Sequence, residues 1–206
     1  MRSFKHWSIR YACDKARTVL YERAHPSAPW LTSDANEFLD VWLLPSHAGF
    51  EWGAGRSTVW LAQRVKSLTS VESDPVWRDR VQGWLGARGQ INVNLLHIAA
   101  DSPDYAGAVN ATDDESLDFA LVDGVDAARG ECVAAVMGKI RPGGLCVVDD
   151  VQRYLPSNSR APESIPPDGD PCTPLWANLA EKLSSWKLIR TSNGVKDTAI
   201  WRKPGK

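Results

Sequence analysis

An excess of charge of either sign is missing from this 206-residue chain: 24 Lys and Arg stand against 25 Asp and Glu, for a formal net charge of −1. No segment gathers the basic residues that tracking a phosphate backbone requires, which counts against nucleic acid as a partner. Long hydrophobic runs are missing too. None approaches the roughly 18 apolar residues that span a bilayer, and the amino terminus, MRSFKHWSIR, lacks the apolar core of a signal peptide. The expectation is no membrane partner and a cytoplasmic location. Cysteines are few, at positions 13, 132, 146 and 172, with no CxxC pair. That spacing argues against a zinc site or a disulfide framework and for free thiols. The four histidines, His6, His25, His47 and His97, form no ligand set, and no repeat or second domain is evident.

What is present is an alternation of apolar runs with helical patterns. Ser8 to Ala24 reads as a helix, and Thr32 to Leu44 as another, with Thr32 or Ser33 as its N-cap. Strand-like runs then follow at His47 to Glu51, Leu68 to Glu72, Asn92 to Ile98, Leu117 to Val122 and Leu145 to Val148. Helices are expected at Thr58 to Lys66, Pro75 to Ala87, briefly near Tyr105, and at Gly130 to Ile140, with Pro142-Gly143-Gly144 as a turn into the fifth strand. This order predicts an α/β fold with a doubly wound, mostly parallel sheet covered on both faces. Trp186 to Arg190 and Thr198 to Arg202, separated by Asn193-Gly194, predict a closing antiparallel hairpin. Residues 1–206 are read as one domain: 1–45 as amino-terminal helices over the cleft, and 46–206 as the core. Within the core, residues 153–174 form a loop, and six of the 13 prolines fall between Tyr154 and Pro174. A loop of that length is either functional, as a lid, or disordered.

Chemistry concentrates first in GFEWGAGRST, Gly49 to Thr58, where a strand meets a glycine turn and then a helix. Gly53 and Gly55 allow a tight turn and close approach of a ligand to the backbone. Glu72, at the end of the next strand and followed by Ser73, is placed to accept hydrogen bonds from both hydroxyls of a ribose. A carboxylate at Glu51 would repel a pyrophosphate and favour an ammonium group. Thr58 stands where a dinucleotide fold carries its third glycine, and a β-branched residue suits that packing poorly.

With these residues in place, the chain resembles the class I S-adenosylmethionine-dependent methyltransferases, nearest in pattern to small-molecule O-methyltransferases. Glu51 to Gly55 looks like the family's first motif, with Ser57 where a further glycine is common, and Glu72 looks like its ribose-binding acid. Ala100-Asp101-Ser102 resembles the adenine-contacting segment. LDFALVDG, Leu117 to Gly124, and RPGGLCVVDD, Arg141 to Asp150, resemble the later motifs. The resemblance implies seven strands in the order 3-2-1-4-5-7-6, with S-adenosylmethionine at the carboxyl ends of the first four. Trp30 and Thr32 fall where family members fold a helix over the cofactor; packing is the plainer reading of both.

Asp123, Asp149 and Asp150 converge on the same predicted edge as candidate catalytic residues, Asp123 also serving the cofactor. The pattern resembles magnesium-binding O-methyltransferases, so the three acids are candidate metal ligands, and Mg2+ is a candidate cofactor that would activate a bound hydroxyl. Asp126 stands where the catechol type has a basic lysine, which leaves the general base unassigned. The alternative is that Asp149 and Asp150 end a strand while Asp123 holds cofactor or substrate. Arg153 and Tyr154 fall near this edge, as acceptor contacts or as anchors for the loop. The expected reaction is methyl transfer to a small-molecule acceptor, on oxygen before nitrogen. An NAD(P)-dependent oxidoreductase and a noncatalytic binding module remain alternatives. Acceptor identity and oligomeric state, including a homodimer, are left open.

Overall fold

The computed structural model describes residues 8–205, so His6 lies outside the described residues. Helix α1 (Ile9–Ala24) begins at Ser8, whose hydroxyl accepts from the Tyr11 amide at 3.1 Å. Helix α2 (Ser33–Trp42) is capped by Thr32, whose Oγ1 accepts from the Ala35 amide at 3.4 Å. The core then alternates: β1 (Ala48–Trp52), α3 (Arg56–Ala62), β2 (Ser67–Glu72), α4 (Pro75–Gly86), β3 (Val93–His97), α5 (Asp104–Gly107), β4 (Leu117–Val122), α6 (Arg129–Val136) and β5 (Ile140–Asp149). Helix α7 (Pro174–Leu183), β6 (Lys187–Ser192) and β7 (Asp197–Arg202) complete it.

The seven strands form one sheet in the order β3-β2-β1-β4-β5-β7-β6. The first five are parallel where they pair, and β7 runs antiparallel to both β5 and β6. Strand β4 is buried along its whole length, as a central parallel strand with helices on both faces must be. Its side chains divide between two cores. Ala120 and Val122 join Val133 and Val136 of α6 and Leu179 and Leu183 of α7, whereas Phe119 and Leu121 join Leu39 of α2 and Leu61 of α3. Burying each such Val, Leu or Phe contributes about 1.5–3 kcal/mol, so both faces hold the strand ends in place. Among the described residues no helix is long and apolar enough to cross a membrane.

Several boundaries differ from the sequence expectations. Helix α3 starts directly after Gly55 and stops at Ala62, because Ser67 is already paired beside Ala48. Helix α6 runs Arg129–Val136 rather than Gly130 to Ile140, since Ile140 pairs with Leu117. Pro142-Gly143-Gly144 lies inside β5 as an irregularity between the Leu117–Ile140 and Phe119–Leu145 pairs, instead of preceding the strand. Gly143 has φ +79°, and a Cβ on Gly144 would lie 2.6 Å from the Asp118 carbonyl oxygen, so this bulge requires glycine. Helix α7 was not anticipated. Its signal is Thr173, which caps the Trp176 amide at 3.3 Å, with Pro174 in the first turn and Trp176, Leu179 and Leu183 facing inward.

The proline-rich segment follows an irregular but pinned course. Ser157 donates its amide to the Ile165 carbonyl at 3.1 Å, Ile165 donates to that of Gln152 at 3.0 Å, and Cys172 to that of Tyr154 at 3.0 Å. Leu155 and Ala161 are buried, and Ser159 Oγ donates to the Asp197 carboxylate at 2.8 Å, tying the segment to β7.

Candidate active site

The carboxyl ends of β1, β2 and β4 open onto a cavity of about 430 Å³. Gly53, Gly55, Ser57, Glu72, Ser73 and Asp123 line it, together with the aromatic rings of Trp30, Trp77, Trp84 and Tyr105. Gly53 takes φ +95°, and a Cβ there would lie 2.6 Å from the Asp123 carbonyl oxygen. The glycine is therefore required by the packing of the β1 turn against the β4 turn. Gly55 differs: a Cβ would meet nothing nearer than Trp77 Nε1 at 3.9 Å, so the bare backbone leaves the cleft open there. Trp77 holds this turn by donating its indole N–H to the Ala54 carbonyl at 2.7 Å.

Glu72 ends β2 with one oxygen occupied, accepting from the Ser73 amide at 2.8 Å and the Asp74 amide at 2.9 Å. Those bonds fix the carboxylate's orientation at the cavity wall. Glu51 lies elsewhere. Strand alternation turns it away from Phe50 and Trp52 and beneath α3, where it is fully buried. Its Oε2 accepts from Thr58 Oγ1 and Ser70 Oγ, each at 2.6 Å. Burial pushes its pKa above the usual glutamate range. Glu51 and Thr58 thus brace the glycine turn from below and do not line the cavity. Asp101 and Ser102, expected at the adenine, also fall outside the cavity wall. Asp101 is exposed, and Ser102 Oγ caps the following turn by accepting from the Asp104 amide at 3.2 Å.

The three acids of the β4 and β5 ends do meet at one edge, but with cations between them. Arg129, at the start of α6, is only 4% exposed. Its guanidinium donates to the Asp149 carbonyl at 2.6 Å, the Gly124 carbonyl at 3.3 Å and the Asp123 carboxylate at 3.1 Å. It also pairs with Asp126 at 3.1 Å and lies 3.8 Å from Asp150. Lys196, on the turn between β6 and β7, donates to the fully buried Asp149 carboxylate at 2.6 Å. Thr198 donates to the other oxygen of Asp149 at 2.7 Å. Burial and the neighbouring Asp149 push the Asp123 pKa above the usual aspartate range, against the pull of Arg129 and Lys196. Asp149 is likewise raised by burial, with Lys196 opposing. Burial works to lower Lys196, but Asp149 and Asp123 outweigh it and hold the ammonium charged.

Among the described residues no group of three or more His, Cys, Asp and Glu side chains is arranged to hold a metal ion. The expectation of Mg2+ on Asp123, Asp149 and Asp150 therefore finds no matching donor set, because their charge is compensated by side chains. Sequence reasoning missed both Arg129 and Lys196. A candidate could have been sought only by asking what neutralises three acids, since no motif marks either residue. Arg153 and Tyr154 serve mainly as anchors: Arg153 pairs with Asp126 and Glu163, each at 2.9 Å, and Tyr154 stacks on Trp176 at 4.8 Å.

Lys196 also donates to the Trp30 carbonyl. The Thr32 amide donates to Thr198 Oγ1 at 3.2 Å, and the Thr32 and Thr191 hydroxyls are bonded at 2.5 Å. The strap before α2 is thereby fastened to the closing hairpin. Its Trp30 side chain lines the cavity and lies 5.1 Å from the Arg56 guanidinium at the other rim.

This sheet order, with a glycine turn after the first strand and an acid at the tip of the second, defines the class I, Rossmann-like methyltransferase fold. Within that class, residues 50–151 match a family model described as a methyltransferase domain. No curated protein sequence matches the chain significantly. Among solved structures it is similar to SMU.1697c from Streptococcus mutans, determined in complex with SAH, at 12% identity and TM-score 0.59, covering 81% of this chain and 94% of that one. It is similar to an rRNA methylase from Streptococcus thermophilus at 11% identity and TM-score 0.58, covering 82% and 93%. Precorrin 8w decarboxylase from Methanobacterium thermoautotrophicum matches at 18% identity and TM-score 0.53, covering 86% and 94%. At these identities the likeness concerns the fold, which hosts more than one reaction.

Proposed function

We propose that this protein transfers a methyl group from S-adenosylmethionine to an oxygen of a small-molecule acceptor. The observation that carries the reading is the cavity itself: an oriented Glu72 carboxylate and a glycine turn kept free of side chains line the same space as the indoles of Trp30, Trp77 and Trp84. When bound, S-adenosylmethionine supplies an electrophilic methyl group. The chain's own residues bind and align. Glu72 would accept from ribose hydroxyls, the Gly53–Ser57 turn would hold the amino-acid portion, and Trp30, Trp77 and Trp84 would exclude water from the bound faces. Asp123 lines the same cavity at the acidic edge, where its carboxylate would orient a hydroxyl or receive its proton. The small acceptor is supported by the near balance of 24 basic and 25 acidic residues, which gives the chain no net positive charge to attract a polyanion.

Isothermal titration with S-adenosylhomocysteine and, separately, with NAD tests the cofactor assignment. Heat with the former alone supports it. Heat with NAD alone would turn the reading into that of an oxidoreductase, and heat with neither into that of a noncatalytic module. A screen of hydroxylated acceptors with labelled S-adenosylmethionine then tests the acceptor class, and transfer only to RNA would overturn it.

A further inference from the structure

The oxygens that a divalent cation would need at the acidic edge surround a side chain instead. Arg129 takes a carbonyl and a carboxylate from the end of β4, a carbonyl from the end of β5, and a further carboxylate from Asp126, at 2.6 to 3.3 Å. The guanidinium is a planar fork of five donors, so its oxygens stand on a wider ring than the roughly 2.0–2.6 Å at which hard cations hold theirs. Its guanidinium carbon also lies over the Tyr154 ring, 5.9 Å from the ring centre. Lys196 supplies a second fixed charge to Asp149.

We propose that Arg129 is the resident cation of this edge. It neutralises Asp123 and Asp126, ties together the loops after β4 and β5, and occupies the space a metal ion would take, so the native chain binds no divalent cation there. A guanidinium keeps its proton across the pH range of folded proteins, and the charge at this edge is thus permanent and independent of metal supply. Arg129 acts here as a positioning residue for Asp123, one hydrogen bond from the cavity.

The test is thermal unfolding of the full chain with chelator, Mg2+ or Mn2+, in the native protein and in Arg129→Met, with and without Asp123→Ala. The native midpoint should not move with millimolar Mg2+ or Mn2+. Arg129→Met removes the cation between Asp123, Asp126 and Asp150 while Lys196 stays on Asp149, and its midpoint, lowered in chelator, should rise by on the order of 5 °C with Mn2+. Adding Asp123→Ala should remove that rise. A metal-dependent rise in the native protein that Asp123→Ala abolishes would overturn the proposal. So would a folded Arg129→Met with no metal response, because the arginine would then not be standing in for an ion. Should Arg129→Met not fold, Mn2+ titration of the native protein decides: binding at these acids refutes the proposal and its absence sustains it. None of these readings needs a cofactor or acceptor, so a failure of S-adenosylhomocysteine to bind bears on the proposed function alone.

Discussion

At the scale of single residues, Gly53 and Glu51 show how little of this site is ligand contact alone. Gly53→Ala would place a methyl group 2.6 Å from a carbonyl oxygen at φ +95°. The left-handed conformation by itself costs about 1–2 kcal/mol, so the urea midpoint should fall at least correspondingly, before any effect on binding. Glu72→Ala acts differently. Hydrogen bonds to a charged acceptor are worth about 1.5–3 kcal/mol, so S-adenosylhomocysteine affinity measured by titration should drop on the order of 10- to 100-fold with the fold retained. Unchanged affinity would end the ribose assignment. Glu51 carries a pH signature. Its pKa is raised by burial, so the folded state holds this proton more tightly than the unfolded chain, and stability falls as pH rises from the ordinary glutamate range through the folded value. Glu51→Gln removes that titration. The melting temperature of the variant relative to the native protein should therefore climb as pH rises above the ordinary glutamate range, and a constant difference would show that Glu51 does not carry the slope.

Elements meet at Lys196, which joins the β6–β7 turn to the end of β5 and to the strap before α2. Losing one partner of a buried ion pair costs about 3–5 kcal/mol, since the other charge is left without compensation. Lys196→Met should destabilise by that order in denaturant unfolding, and adding Asp149→Asn should recover part of the loss by removing the orphaned carboxylate. Both variants lose the bond to the Trp30 carbonyl. Faster amide hydrogen exchange at Thr32, whose N–H is bonded to Thr198, is the expected result in each. Exchange no faster than in the native protein would mean that the strap is held without Lys196. The turn itself is built for this reach: Asn193 Oδ1 accepts from the Val195 and Lys196 amides at 3.0 and 2.9 Å, and Gly194, at φ +78°, lies against Asp14 of α1.

For the molecule as a whole, the two-faced sheet sorts its thiols. Cys132 and Cys146 lie inside the core between β5 and α6, where burial pushes both up to about 12, while Cys13 and Cys172 are exposed. A thiol-reactive dye should modify Cys13 and Cys172 in the native protein and reach Cys132 and Cys146 only on unfolding, because the thiolate is the reacting form. Rapid native labelling of Cys146, located by peptide mass, would contradict the packing of β5.

Local pattern determined much of this architecture. The glycine turn at Gly53 and Gly55, the apolar run Leu117 to Val122 and the Asn193-Gly194 hairpin each state their conformation through steric and periodic rules that act over a few residues, and the resemblance supplied the strand order. Glu72 was legible for the same reason, as an acid at the tip of a strand. Other features depend on which residues the topology brings together. Glu51 reads as a cleft residue until strand alternation turns it beneath α3, and Asp123, Asp149 and Asp150 read as metal ligands until Arg129 and Lys196 are seen among them. Arg129 owes its place to carbonyls at the ends of two neighbouring strands, and Lys196 to the register that sets Thr198 beside Asp149. The compensation of buried charge is a property of three-dimensional neighbourhood, and only the tertiary structure decides it.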